Sequence, residues 1–518
     1  VYQMLAQQNI STLTEVKAAL KNQASRDELI AFQMAELGAL LRHAYDHVTF
    51  YRARFAAAGV TPDDVRSLEV MPALPIVRRA DLQRSLVRSH AAGTGPPVER
   101  EVVRAMQLLR LRTLATGRTG ARPETAQAIA ALLNAGITPA VGEYGSLGCS
   151  GDLAPLAACA LVLMGEGDVC MLEGSTRPAA DALREAGLRP ITLAEKEGLA
   201  LLNGTDGMLG MLLLAIEDLG RLVTTADLAA AMTVEALLGT DRVFADDLQR
   251  LRPQPGQSLS AGNLRALLAG SAIVASHAGP EDTRVQDAYS LRCAPQVAGA
   301  CRDTLEHASR VASFELASAI DNPVVLPDGR VESNGNFHGA PVGYVLDFLA
   351  IAVADLASIA ERRTDRMLDQ ARSHGLPPFL AAEPGVDSGH MIAQYTQAGM
   401  VSECKRLAVP ASVDSIPSSA MQEDHVSMGW SAARKLRRSI DLLGRVLAIE
   451  LITAARALDF RAPLASSPAI AAVRDRLRLD VAGPGPDRHL APEIEAAVRL
   501  VSSGELLAAA VTVTGPLA

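Results

Sequence analysis

Apolar residues recur every three to four positions through most of the chain, the period of a helix with one buried face. The clearest run is Val345, Phe348, Leu349, Ala352, Leu356 and Ile359, a single continuous stripe. A stripe this long packs into a bundle, within one chain or between copies. An earlier stripe passes through Leu29, Phe32, Leu37, Leu40 and Leu41, and Ser25 with Glu28 has capping-box spacing at its start. Thr61-Pro62-Asp63-Asp64 reads as a turn-rich link. From Asp81 the chain becomes alanine-rich helix with glycine-rich joints, and beyond Asn203 it is helical almost to the end. Gly136 to Asp152 reads as loop between helices, and Pro484 to Pro486 as a loop before a last short helix. The expected fold class is mainly α, in three parts: an atypical segment 1–80, a smaller domain 81–205, and a helical core with C-terminal helices, 206–518.

Composition supports helices. Aromatics are only 3% of the chain, and alanine and leucine fill the long stretches at little conformational cost. The formal charge of −9 gives no reason to expect nucleic acid or an anionic membrane as partner. The six cysteines (Cys149, Cys159, Cys170, Cys293, Cys301, Cys404) show neither paired disulfide spacing nor CxxC, so a reduced, cytoplasmic setting is expected. No charged-then-apolar leader opens the sequence, and Asp347 and Asp355 interrupt the apolar runs, so no membrane span is expected. No metal is expected either. Glu423, Asp424 and His425 are consecutive and diverge on a helix, and His43 with His47 lacks a third ligand.

One string changes the picture: Gly145-Ser146-Leu147-Gly148-Cys149-Ser150-Gly151-Asp152-Leu153-Ala154-Pro155-Leu156-Ala157. Cys149-Ser150-Gly151 is a small-residue turn, and glycine permits the φ/ψ values and close approach that ring closure needs. Attack of the Gly151 nitrogen on the carbonyl of Cys149 closes a five-membered ring. Loss of two waters, one carrying the Ser150 hydroxyl, leaves an exocyclic methylene, an electrophile no ordinary side chain supplies. The bare tripeptide would more simply be a glycine turn with Ser150 or Asp152 as N-cap of the next helix.

The full string resembles the signature of the aromatic amino acid lyase family, and the resemblance runs from about Asp81 to near the C-terminus. It implies a long-helix bundle of the fumarase/aromatic amino acid lyase type, with the electrophile on a smaller N-terminal domain. It also implies a 4-methylidene-imidazole-5-one group formed from Cys149-Ser150-Gly151, no external cofactor, and a homotetramer whose sites are lined by several subunits. Leu202-Asn203-Gly204-Thr205 is similar to the family's substrate-side asparagine loop. Gln286-Asp287-Ala288-Tyr289-Ser290-Leu291-Arg292 is similar to its Q-D-A-Y-S-x-R stretch. Gln286, Tyr289 and Arg292 recur every three residues, so a short helical segment would aim them to one side. The Arg292 fork suits a substrate carboxylate, with Asn203 beside it and Tyr289 and Gln286 supporting the ring and the leaving group. Ser333-Asn334-Gly335-Asn336-Phe337-His338-Gly339 resembles the loop whose phenylalanine packs beside the electrophile. Ser89-His90-Ala91 and Gln422-Glu423-Asp424-His425-Val426-Ser427-Met428 match the version of the selectivity site found in histidine-using members. His90 and Glu423 would then address an imidazole. The implied reaction is non-oxidative deamination of L-histidine to urocanate and ammonia. Phenylalanine or tyrosine as substrate, an aminomutase reaction, and a catalytically silent helical oligomer are the alternatives.

The family's Tyr-Gly-Val-Asn-Thr-Gly-Phe-Gly loop, which carries its tyrosine base, is not found upstream of His90; Tyr2, Tyr45 and Tyr51 lack that neighbourhood. Roughly Leu40 to Leu82 resembles instead the opening of phenylacetate-CoA-ligase-like enzymes, through Leu41-Arg42-His43-Ala44-Tyr45-Asp46-His47, Phe50-Tyr51-Arg52 and Ala73-Leu74-Pro75-Ile76. No ATP-binding loop follows, so no ligase activity is implied.

Overall fold

The structure, a computed structural model, describes residues 26–67, 69, 79–172, 174–279, 282 and 284–518. Two compact units divide it, Val1–Leu82 and Gln83–Ala518. In the first unit, helices Arg26–His47 and Thr49–Ala58 precede a single 3₁₀ turn, Pro62–Asp64. Thr61 and Asp64 close a capping box there, so the expected turn is present. The expected capping box at Ser25 and the segment 73–76 lie outside the described residues. His43 and His47 stack at 4.6 Å on an exposed helix face.

The second unit is built on five helices, labelled here α1 (Asp206–Ala236), α2 (Ala294–Ala317), α3 (Ala340–Leu368), α4 (Met391–Leu407) and α5 (Gly429–Asp459). α3 lies along α5 and also packs on α2 and α4, while α1 lies against α5 and α2. α1 and α5 both start at the Cys149 end of the bundle, and near their far ends Arg461 donates to the Ala236 carbonyl at 2.8 Å. Alanines on the buried faces, such as Ala448, Ala454, Ala455 and Ala457, let the helices approach closely, and Leu443, Leu447 and Leu451 fill the grooves between them.

The stripe expected on α3 is only partly inward. Val345, Leu349 and Leu356 are buried, but Phe348 is half exposed and continues an outer row with Tyr344 and Ile351. By length and composition α3 is apolar enough to cross a membrane, Asp347 and Asp355 notwithstanding. Most of it is buried in the bundle, where Arg363 is paired with Glu450 of α5 and Asp347 with Lys435.

A second, smaller core joins Val87, Leu114, Ile129, Leu132, Leu163 and Leu202. The segment 136–152 is not all loop. Thr138–Pro139 joins a three-stranded antiparallel sheet with Asp168–Cys170 and Thr176–Pro178, and Gly142–Tyr144 pairs with Thr94–Pro97. After Pro486 come two helices rather than one, Ala491–Ser503 and Glu505–Thr514, divided at Gly504 with φ 78°.

Candidate active site

The turn Cys149-Ser150-Gly151 leaves the Gly142–Tyr144 strand and enters the helix Leu153–Leu163. Ser150 has φ 49° and Gly151 φ 87°, two successive left-handed residues that curl the chain back on itself. Gly151 N–H reaches the Gly148 carbonyl at 3.3 Å. A Cβ on Gly151 would collide with the backbone of Gly204, and one on Gly148 with Ser427. Both glycines are therefore required by contact as well as by φ. Gly204 N–H bonds Ser150 O at 3.3 Å and Gly204 O accepts from Asp152 N–H at 2.8 Å, which pins the turn beside Asn203.

Asp152 precedes a helix but does not cap it. Its side chain crosses to the start of α1, where one oxygen accepts from Gly207 and Met208 N–H at 2.9 Å each and the other from the Ser146 hydroxyl at 3.0 Å. These amides are among those a helix start leaves without partners. Burial, with Asp206 nearby, pushes the Asp152 carboxyl up to about 7 despite these donors. Folding thus favours the neutral acid. Its stabilising effect is complete below the ordinary value of 3.8 and is lost as pH rises through about 7. Asp152→Asn keeps an acceptor for both amides, so it should flatten this loss. The difference in Tm between about pH 5 and about pH 8 should shrink; an unchanged difference refutes the assignment.

Beneath Gly204, Arg110 pairs with Asp206 and donates to Ala200 O at 3.1 Å. Both side chains are buried. Asn203 Nδ2 donates to Asn322 O at 2.9 Å. Asn322 Oδ1 accepts from Asn334 N–H at 2.9 Å and from Ser333 at 3.1 Å, tying the Phe337 loop to the same end of α1.

Glu423 faces the turn. Its carboxylate accepts from Cys149 Sγ at 2.7 Å, Ser419 Oγ at 2.5 Å, Ser418 Oγ at 3.2 Å and Ser150 Oγ at 3.4 Å. Burial opposes its charge, but these four donors hold it below the usual carboxylate range. Burial and the same carboxylate push the Cys149 thiol up to about 12, so it stays a donor. Ser419, Ala420 and Met421, all at positive φ, bend the chain so that Ser418 and Glu423 pair backbone to backbone. Two residues beyond Glu423, the His425 ring stacks on His338, with Nδ1 and Nε2 3.2 Å apart.

The expected residues fall into two groups. Cys149, Ser150, Gly151, Asn203, Phe337 and Glu423 come from segments linked at one end of α1. Gln286, Tyr289 and Arg292 sit at the other, where Asp287 accepts from Thr240 N–H at 2.7 Å just past the helix end. α1 has 31 residues, so the two groups are about 45 Å apart along it. Spacing placed the second group only in part. Tyr289–Arg292 forms one turn with the guanidinium 4.6 Å over the tyrosine ring, whereas Gln286 precedes it. His90 and Glu423 have no contact with each other. The His90 ring stays on its own helix, bonded to Leu86 O at 2.9 Å and Ser89 at 3.0 Å. Asp152's crossing, the Arg110–Asp206 pair, the serines around Glu423 and the two stacked histidines were all missed. Only Ser418-Ser419, two hydroxyls beside a motif carboxylate, left a signal.

The profile of the aromatic amino acid lyase family matches residues 72–479. The chain belongs to that family. Among aromatic amino acid lyases it is 68% identical to the histidine ammonia-lyase of Streptomyces avermitilis over 85% of this chain and 86% of the relative. It is 49% identical to that of Sorangium cellulosum, over 95% of this chain and 96% of the relative. Among solved structures, histidine ammonia-lyase from Trypanosoma cruzi aligns with a TM-score of 0.78 at 36% identity, covering 93% of this chain and 94% of the other. Tyrosine aminomutase from Streptomyces globisporus aligns with a TM-score of 0.80 at 39% identity, covering 85% and 86%. These relatives bear out the expected helical lyase fold and a carbon–nitrogen lyase. The resemblance of Leu40–Leu82 to phenylacetate-CoA-ligase-like enzymes is not borne out. The alignment with the Sorangium lyase covers more of this chain than the residues from 72 onward can supply, so it runs into that segment.

Proposed function

We propose that this lyase deaminates L-histidine to urocanate and ammonia, using a methylidene-imidazolone group that it forms from Cys149-Ser150-Gly151. The observation that carries the proposal is the turn itself, two left-handed residues with no room for a Cβ at Gly151, in a chain 66–68% identical to lyases named for histidine. Once formed, the group would supply an electrophile for the substrate amine. Before the ring closes, Glu423 holds the Cys149 and Ser150 side chains by charge-assisted hydrogen bonds, and it keeps the Cys149 thiol once the Ser150 hydroxyl has left as water. With His90 it is the group assigned to the imidazole, and Asn203 and Arg292 are assigned to the carboxylate. Tyr289 and Gln286 support the ring and the leaving group, and Phe337 packs beside the electrophile. No external cofactor is required.

The site proposed here draws on both ends of α1 and so on more than one copy, in keeping with the homotetramer that the family resemblance implies. The outer row of α3 (Tyr344, Phe348 and Ile351) and Phe314 of α2 are large exposed apolar residues suited to pack against another copy. All six cysteines are free, in keeping with a reducing, cytoplasmic setting.

A substrate panel tests the assignment. Urocanate should appear from L-histidine, with kcat/KM at least about a hundredfold above that for L-phenylalanine or L-tyrosine, because polar groups meant for imidazole nitrogens lose those partners against a benzene or phenol ring. The 39% identity to a tyrosine aminomutase favours a second reading. Formation of a β-amino acid from L-tyrosine, with no urocanate, would replace the first.

A further inference from the structure

Away from the turn, the N-terminal end of α4, the far half of α5 and the loop before helix Ala491–Ser503 enclose a cavity of about 560 Å³. It shares no residue with either group of site residues. Arg456, on its wall, lies about 40 Å along α5 from Gly429, where that helix starts beside the turn.

Two side chains there are more than nine-tenths buried and incompletely satisfied. Arg456 donates from Nε to Leu380 O at 2.7 Å and from Nη2 to Gly485 O at 3.2 Å. Among the described residues its Nη1 has no hydrogen-bond partner and its charge no carboxylate within 4 Å. The cavity's other arginines are committed, Arg445 to Asp441 and Glu495, and Arg488 to Glu493. His390 is the second group. Thr453 gives its hydroxyl proton to Ile449 O at 2.7 Å, so the 3.0 Å contact between His390 Nδ1 and Thr453 Oγ1 is a donation from the ring. Burial, and the arginines around it, push His390 down to about 3, so the ring is neutral and Nε2 is an acceptor. Nε2 has no partner among the described residues. A cationic donor and a neutral acceptor thus line one pocket whose wall is mostly apolar, through Ile392, Ala393, Met400 and Ile494, while its Asp487 carboxylate is taken up by the Ser388 and Gly389 amides and Glu495 by Arg445.

Donor, acceptor and apolar wall together define a ligand. We propose that this cavity binds a small carboxylic acid that also carries an amino or hydroxyl group and an apolar body, its carboxylate on Arg456 and its donor on His390. The site is independent of the lyase assignment above.

Calorimetric titration of the whole protein with L-leucine, and with hexanoate as the acid lacking a donor, tests this. L-Leucine should bind, and hexanoate at least about tenfold more weakly. Arg456→Gln should weaken L-leucine at least about tenfold, and His390→Phe should bring the two ligands level. Thr396→Trp, which fills the mouth from an exposed position, should abolish binding without altering far-ultraviolet circular dichroism or Tm, and so decides the matter if either buried variant misfolds. Absence of L-leucine binding to the parent protein overturns the proposal. So does unchanged binding to Thr396→Trp, which would place the ligand elsewhere.

Discussion

Ser150→Ala is expected to leave a folded protein that no longer releases urocanate, with kcat reduced at least about a thousandfold, or about 4 kcal/mol in the barrier. The reason is local. The exocyclic methylene is the former Ser150 Cβ, and alanine has no hydroxyl to lose. Folding should survive, because the Ser150 hydroxyl makes only a 3.4 Å contact with Glu423, whose carboxylate keeps three stronger donors. Peptide mass over residues 149–151 should show the two-water deficit in the parent and not in the variant, with loss of the near-ultraviolet absorbance in parallel. Normal turnover by Ser150→Ala would sink the proposed chemistry outright.

Arg363→Met should destabilise the bundle by about 3–5 kcal/mol, read as a fall in Tm. Arg363 on α3 and Glu450 on α5 are each about 1% exposed or less, and they meet through two hydrogen bonds of 2.5 and 2.8 Å. Thr233 of α1 adds a third to Glu450 at 2.9 Å, so three helices converge on one carboxylate. Methionine fills similar space but strands the Glu450 charge in the core with one hydroxyl donor. Converting both partners, Arg363→Met with Glu450→Leu, should recover most of the loss, because no buried charge is then left alone. If the double variant is as unstable as the single one, packing rather than charge explains the effect.

Much of this was legible in the sequence. The helical period announced the bundle because buried helix faces must repeat every 3.6 residues. The string around Cys149 announced the turn because few residues tolerate left-handed φ at contact distance from another backbone. What the period could not give was which side of α3 faces the rest of its own chain, since Phe348 is as apolar as Leu349. The Arg110–Asp206 pair joins positions 96 residues apart and leaves no local mark. Positive φ at Ser419, Ala420 and Met421 was equally hidden, since these residue types do not ask for it. Matching motifs assigned His90 and Glu423 to one task, but a motif carries no distances, and in the fold each ring or carboxylate has taken nearer partners.

The length of α1 has a genetic consequence. If Cys149 and Arg292 of one site belong to different copies, a chain damaged at the turn and a chain damaged at Arg292 are not equivalent defects. Co-assembled, each supplies what the other lacks, and some sites in a mixed oligomer receive two sound halves. Two null alleles could then restore activity together, while either one carried alongside a sound gene would spoil sites in proportion to its share of the mixture.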